Sequence, residues 1–265
     1  MKFYQIILIL FTSVLSSQNK GIVYYGCIEA LNEEGIQSCD NNSYMVFNNS
    51  KSYYVTAKDS LESKNMQREA SVHKASEPNP STGAGVTSAA GNQVVVNLKL
   101  QTIFSRYVAL GHDEIFYVSE PIPELNWTLI RATKKIGNFL CQKATTTFRG
   151  RKYTAWYSTK IAIPFGPWKL QGLPGLILEA YDLDKHIFWY FKNVEFPTIN
   201  KENINDIRKS KFEKKTIFLT FEQFLNQCKK IQQEEISRHR MLEQKFKSVK
   251  LVDLKISEMF FECEK

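Results

Sequence analysis

The sequence predicts a β-dominated α+β protein, a curved, half-barrel-like antiparallel sheet packed on one long C-terminal amphipathic helix. Short runs rich in β-branched and aromatic residues recur as far as about residue 200, bounded by Gly, Pro and Asn. One sustained helical periodicity follows them, and a capping signal opens it. With 265 residues, 43% hydrophobic and 13% aromatic, the chain can bury a sizeable core, and its composition excludes disordered and collagen-like classes. No Pro/Gly-rich linker divides it into halves, so one domain is expected over residues 18–265.

At the N-terminus, Lys2 precedes an apolar run from Ile6 to Leu15, and the small residues Ser16 and Ser17 follow. This is the pattern of a secretory signal peptide over residues 1–17, cleaved before Gln18. The run is well short of the roughly 20 apolar residues that span a bilayer. No cysteine stands close enough to the cut for a lipid anchor. The expectation is an exported protein, periplasmic, secreted or associated with the outer membrane, with no transmembrane segment after signal removal.

Gly21 to Glu29 reads as the first strand, and Tyr44 to Thr56 as two strands around an Asn48-Asn49 turn. From 62 to 92 the chain turns Ser/Ala/Gly/Asn-rich without apolar periodicity, which marks a mobile loop that spaces rather than binds. Val94–Leu100, Ile115–Val118, Trp127–Ile130 and His186–Phe196 are further strand candidates. Thr220 and Gln223 stand at capping-box spacing. Behind them Phe221, Phe224, Leu225, Cys228 and Ile231 recur at helical spacing, predicting a helix from about Phe221 to Lys245. Val252, Leu254 and Ile256 alternate with polar residues, which predicts a last strand.

Five cysteines, Cys27, Cys39, Cys141, Cys228 and Cys263, leave at least one unpaired. An oxidising compartment favours bridges, and the short interval makes Cys27–Cys39 the first expectation, with the other pairings open. Buried free thiols are the alternative. No CxxC spacing occurs, so neither a zinc ribbon nor a thioredoxin-type site is indicated.

The net charge of +8 favours anionic partners. It is concentrated. No Asp or Glu lies between Glu124 and Glu179, yet Arg131, Lys134, Lys135, Lys143, Arg149, Arg151, Lys152, Lys160 and Lys169 do, interleaved with aromatic residues that include Trp127, Trp156 and Trp168. Charge plus stacking suits an anionic or extended ligand, or an outer-membrane transport partner, and the binding residues expected are Lys143, Arg149, Arg151, Trp156, Trp168 and Lys169. Export argues against a nucleic-acid partner. If Arg149-Gly150 is a two-residue hairpin turn, Lys143 faces Trp156, Thr145 faces Thr154 and Phe148 faces Arg151. Ala144, Phe148, Tyr153 and Tyr157 then share the core face.

The ordered series Trp127, Cys141-Gln142-Lys143-Ala144, Phe148-Arg149-Gly150-Arg151, Ala155-Trp156-Tyr157, Gly166-Pro167-Trp168-Lys169 and Gly172-Leu173-Pro174-Gly175-Leu176-Ile177, with Glu179 just beyond, resembles the GLPGLI family of exported Bacteroidetes proteins. The resemblance covers about Trp127 to Asp182 and implies a compartment and a motif map but no reaction. The motif positions read as structural: Pro174 and Gly175 suit positions i+1 and i+2 of a type II turn, with positive φ at Gly175, ahead of a strand from Leu176.

Catalytic motifs are absent: no GxSxG, HExxH, P-loop or GxGxxG occurs. His73, His112, His186 and His239 read as surface histidines, with His112-Asp113-Glu114 the least implausible weak metal site. No metal and no cofactor are expected. Two function classes remain, a non-enzymatic envelope binding protein and, as the alternative, a hydrolase-like enzyme using Cys141 or Glu179 with Lys143.

Overall fold

The structure is a computed structural model that describes residues 20–29, 39–61, 88–108, 114–184, 186–200, 204, 206–209 and 215–245. The expected signal peptide, residues 62–87 of the expected loop, His73, His112 and the expected strand at Val252 lie outside the described residues. In chain order the strands are β1 (Gly21–Glu29), β2 (Cys39–Phe47), β3 (Lys51–Thr56), β4 (Asn92–Asn97), β5 (Thr102–Val108) and β6 (Glu114–Pro121). They continue as β7 (Thr128–Ile136), β8 (Phe139–Phe148), β9 (Arg151–Ser158), β10 (Leu176–Asp182), β11 (Ile187–Glu195) and β12 (Lys215–Thr220), and one helix follows, α1 (Phe221–Lys245).

All twelve strands join one open sheet in the order β12-β6-β5-β4-β3-β2-β1-β11-β10-β9-β8-β7. It consists of two antiparallel meanders, β1 to β6 and β7 to β11, joined by the β1–β11 pair. The sheet is mixed, which corrects the all-antiparallel expectation: β12 returns along the sheet and pairs parallel with β6, Phe218 opposite Tyr117. Sequence reading missed β5 and β12. In β5 the strand pattern is masked by Ser105 and Arg106, both buried, with the Arg106 guanidinium donating to the Gly91 carbonyl.

Local chemistry explains the turns. Asn48 accepts at Oδ1 from the backbone N–H of Ser50 and Lys51, both at 2.9 Å, closing the β2–β3 hairpin. Arg149 and Gly150 have φ of 50° and 78°, the two left-handed residues of a type I′ turn, whose twist matches the flanking strands. The resulting register pairs Lys143 with Trp156, Thr145 with Thr154 and Phe148 with Arg151, as the two-residue turn predicted. At the start of α1 the capping box is made: Thr220 N–H donates to Gln223 Oε1 at 2.9 Å, and Gln223 N–H to Thr220 Oγ1 at 3.3 Å.

The link from β6 to β7, Ile122–Trp127, joins strands ten places apart in the sheet order. A flat sheet would separate them by roughly 48 Å at about 4.8 Å per strand, and so short a link reaches only roughly 25 Å fully extended. The two ends are therefore drawn toward each other across one face. The segment between β9 and β10 fills the space: Ile161, Ile163, Phe165, Trp168, Leu170 and Leu173 are buried in one core with Val23, Met45 and Val96 from the other meander. Trp189 donates through Nε1 to the Tyr54 hydroxyl at 3.0 Å within it. Beside this core, Phe224, Cys228 and Ile231 of α1 bury against Tyr107, Phe116 and Val118.

The opposite face carries a smaller cluster of Ile22, Tyr44, Val46, Tyr53, Val55 and Val95, against which Ile204 and Ile207 pack. Gln93 holds that crossing chain as a strand would: its Nε2 donates to the Arg208 carbonyl at 2.9 Å and its Oε1 accepts from Arg208 N–H at 2.7 Å. Cys27 and Cys141 are buried and in no disulfide, and Cys228 is in one. The expected Cys27–Cys39 bridge is thus not made; Cys27 points into the main core, where a thiol packs as a small apolar group.

Candidate functional site

The residues expected to bind separate into a buried set and an open set. Arg149, Arg151, Trp168 and Lys169 are turned inward, which does not fit the surface role expected of them. Lys169 is fully buried, its Nζ 2.5 Å from Glu120 Oε1, and Arg149 pairs with Glu120 Oε2 from the β8–β9 turn. The rings of Phe221, Tyr107, Trp168 and Phe148 surround the two cations, with Arg149 3.9 Å from the Phe221 centroid. Desolvation lowers the Arg149 pKa against the opposing pull of Glu120. Arg151 donates to Asp182 Oδ2 at 2.7 Å, and Asp182 is fully buried. The acid-free stretch looked uncompensated because its acids come from outside it, Glu120 on β6 and Asp182 on β10.

The motif positions build the plug that holds these groups. Gly172 carries the left-handed φ, 94°, and Gly175 does not, so the expected type II turn at Pro174-Gly175 is not formed. Gly175 is small for another reason: a Cβ there would overlap the carbonyl of Ser158. A Cβ on Gly166 would stand 2.7 Å from Ile177. The peptide groups are satisfied inside the plug, with Leu170 N–H donating to Pro167, Gly172 to Pro164, Leu176 to Ile161 and Ile177 to Phe165. Trp127 Nε1 donates to the Gln171 carbonyl at 2.8 Å, and the buried Tyr25 hydroxyl to the Ile177 carbonyl at 2.7 Å. Leu173, Leu176 and Ile177 are buried, and Gln142 accepts from the Tyr157 hydroxyl at 2.8 Å.

Lys143 and Trp156 lie on the opposite face, where no described residue covers β7 to β11. Lys134 of β7, which sequence reading did not single out as a binding residue, reaches across two strands to Glu179 Oε1 at 2.5 Å and passes 5.0 Å from the Trp156 centroid. Lys143 stands 6.0 Å from the same ring and makes no ion pair among the described residues. The Trp156 indole N–H is buried without a hydrogen-bond partner among them. Alternation extends this face to Tyr181 on β10 and to Phe188, Tyr190 and Lys192 on β11. Tyr181 and Phe188 meet edge to face at 5.9 Å, Phe188 and Tyr190 at 5.7 Å, and Tyr190 covers Gly26, where a Cβ would enter its ring. Burial, then Asp40, pushes the Tyr190 pKa up. The alternating Phe188, Tyr190 and Lys192 was the available sequence signal.

Cys141 lies under Lys134 and Glu179, its Sγ 3.7 Å from the Phe139 carbonyl. Burial raises its pKa to about 11, with Lys134 pulling down and Glu179 pushing up. Below that value the sulfur is a neutral thiol, a poor nucleophile. Iodoacetamide at pH 8 is expected to leave Cys141 unmodified in the folded protein and to label it after unfolding in urea; rapid labelling in the native state, read by peptide mass, would show the opposite.

Asp182, Asp184 and His186 bring oxygen and nitrogen atoms within 4.8 Å of one another. Asp182 is already engaged. Its Oδ1 accepts from the N–H of His186 and Ile187, at 2.7 and 3.0 Å, and its Oδ2 from Arg151. Arg151 also stands 3.0 Å from His186 Nδ1, so a cation occupies the place a metal would take. His186 is thus a partner in a buried network rather than the surface histidine expected.

No curated protein matches the chain. Residues 148–179 match the family described as "Protein of unknown function (Porph_ging)", a GLPGLI-type family, and this match supports the resemblance carried by the motifs. Among solved structures, PNGF-II is similar at TM-score 0.47 and 14% identity, over 76% of this chain and 31% of PNGF-II, so the chain spans about a third of that protein. The LolA superfamily protein NE2245 from Nitrosomonas europaea is similar at TM-score 0.29 and 8% identity, over 69% of this chain and 89% of that protein. At these TM-scores neither likeness decides fold or function.

Proposed function

We propose, from the premise that residues 148–179 are a GLPGLI-type segment, that this is an exported cell-envelope protein that binds an anionic, extended ligand and catalyses no reaction. The half-barrel sheet and its plug are the rigid frame, and the open face around Trp156 is the contact surface. One observation carries this reading: Lys143, without an ion pair among the described residues, flanks the half-exposed Trp156 on a strand-borne face whose positions are fixed by the β8–β9 register. A cation beside a ring attracts an anion while the ring offers apolar area. The plug gives stability to this frame; its cations are buried and paired with Glu120 and Asp182, so they are not on offer to a ligand.

The enzyme alternative has less behind it, because Cys141 is a buried neutral thiol and Glu179 is held by Lys134. The test is the paired variant Lys143→Glu with Trp156→Leu, assayed by calorimetry against soluble anionic polymers. Affinity for the polymers that bind is expected to fall at least tenfold while the pair still unfolds in one cooperative melting transition, with Lys143→Glu alone staying within about 0.5 kcal/mol of wild type. Unchanged affinity for every polymer bound by the wild type would remove this face from the function.

A further inference from the structure

The open face carries more than a single ring and a single charge. Trp156, Tyr181, Phe188 and Tyr190 are all half-exposed on one face of the successive strands β9, β10 and β11, and ring contacts at 5.9 and 5.7 Å link the last three. The stripe runs across the strands, not along one. A lysine stands at each end. Lys143 on β8 is 6.0 Å from the Trp156 centroid, and Lys192 on β11 is 5.2 Å from the Tyr190 centroid with its Nζ 2.6 Å from the neutral Asn42 Oδ1. Neither forms an ion pair among the described residues; on the same face Lys134 pairs with Glu179, while Asp40 and Glu195 accept from the hydroxyls of Tyr190 and Tyr24, at 2.9 and 3.3 Å. Three strand spacings separate the two lysine positions by about 14 Å across the strands.

We infer that this stripe is the seat of an acidic polysaccharide. The inference rests on the proposed binding reading and names its ligand class. Charge complementarity selects the anion: two lysines without an ion pair among the described residues, about 14 Å apart across the strands, match carboxylates repeated along a chain. The rings between them select the backbone of that chain. The face of an aromatic ring is negative and attracts the slightly positive C–H bonds on the flat side of a pyranose, so consecutive sugar rings stack where a polypeptide would have to offer apolar side chains. Sheet-borne positions hold the rings at fixed spacing, so no loop has to be ordered on binding.

The test uses the full chain with three probes: polygalacturonate, poly-glutamate of matched charge, and neutral dextran. Polygalacturonate is expected to bind, weakening with added salt, and poly-glutamate at least tenfold more weakly. Replacing Tyr181 or Phe188 by leucine keeps the apolar area and removes the ring; each change is expected to weaken polygalacturonate binding by roughly five- to tenfold, and Phe188→Tyr to restore it. Lys192→Ala is expected to do the same while leaving the melting curve unmoved. Poly-glutamate binding as tightly as polygalacturonate, or leucine variants that bind like wild type, would overturn the polysaccharide assignment while sparing the anion-binding reading. Dextran binding as tightly as polygalacturonate would overturn the role of the lysines. That reading itself falls only if the Lys143→Glu, Trp156→Leu pair changes nothing.

Discussion

Replacing Glu120 by alanine is expected to cost about 3–5 kcal/mol, the range for removing one partner of a buried ion pair. Glu120 divides its two carboxylate oxygens between Lys169 and Arg149, which come from the plug and from the β8–β9 turn, and both cations are buried among aromatic rings. The carboxylate thereby ties β6 to strands at the far side of the sheet order. Its loss leaves two desolvated charges and also releases the closure that brings the meanders together. The measurement is urea unfolding followed by circular dichroism, with the midpoint lowered and the slope read for a loosened native state. A change below about 1 kcal/mol would show that the cluster is wetter than its burial implies.

Trp168→Ala is expected to have an effect of the same size, about 3–5 kcal/mol, by leaving a cavity at the centre of the plug. The indole stacks on Trp189 with centroids 5.9 Å apart and an interplanar angle of 16°, and it touches Phe148 and Tyr153 at 5.5 and 6.2 Å. It also lies 6.0 Å from the Arg149 guanidinium. Its backbone sits at φ 55°, a left-handed conformation that a non-glycine residue holds only when its surroundings enforce it. Alanine removes the enforcing contacts, and Trp168→Phe should retain more than half of the stability. Since Trp168 and Glu120 share Arg149, the double variant should be less destabilised than the two single changes together. Strict additivity in urea unfolding would mean that ring and carboxylate act separately.

The strands were legible wherever one face was apolar. β1 shows its run from Ile22 to Tyr25, and the Arg149-Gly150 pair gives the register of the β8–β9 hairpin, because a two-residue turn leaves no freedom in the pairing. β5 and β12 were illegible for different reasons. Arg106 and Ser105 are polar residues held inside, and β12 earns its place through a parallel partner about a hundred residues away, Lys215 opposite Glu114. The site was half legible. Local alternation put Lys143 beside Trp156, but the direction in which Arg149, Arg151 and Lys169 turn was decided by Glu120 and Asp182, which lie close to them only after folding. The motif glycines carried an ambiguity that sequence does not resolve: Gly172 serves backbone conformation, whereas Gly175 serves close approach to Ser158.

The arrangement of two meanders with one seam governs how the chain must be assembled. Strands β1 to β6 can zip in the order in which they are synthesised, each on its predecessor, and β7 to β11 can do so separately. The pairing of β1 with β11 cannot. It joins residues as far apart as Ile22 and Glu195, 173 positions along the chain, and waits for the whole second meander to exist. A long loop has to be closed before that pairing returns any stability, so the seam is the slow step of folding. Until it forms, both β1 and β11 offer unpaired backbone to any other extended chain. The middle of the finished sheet is therefore, during folding, its two most adhesive edges.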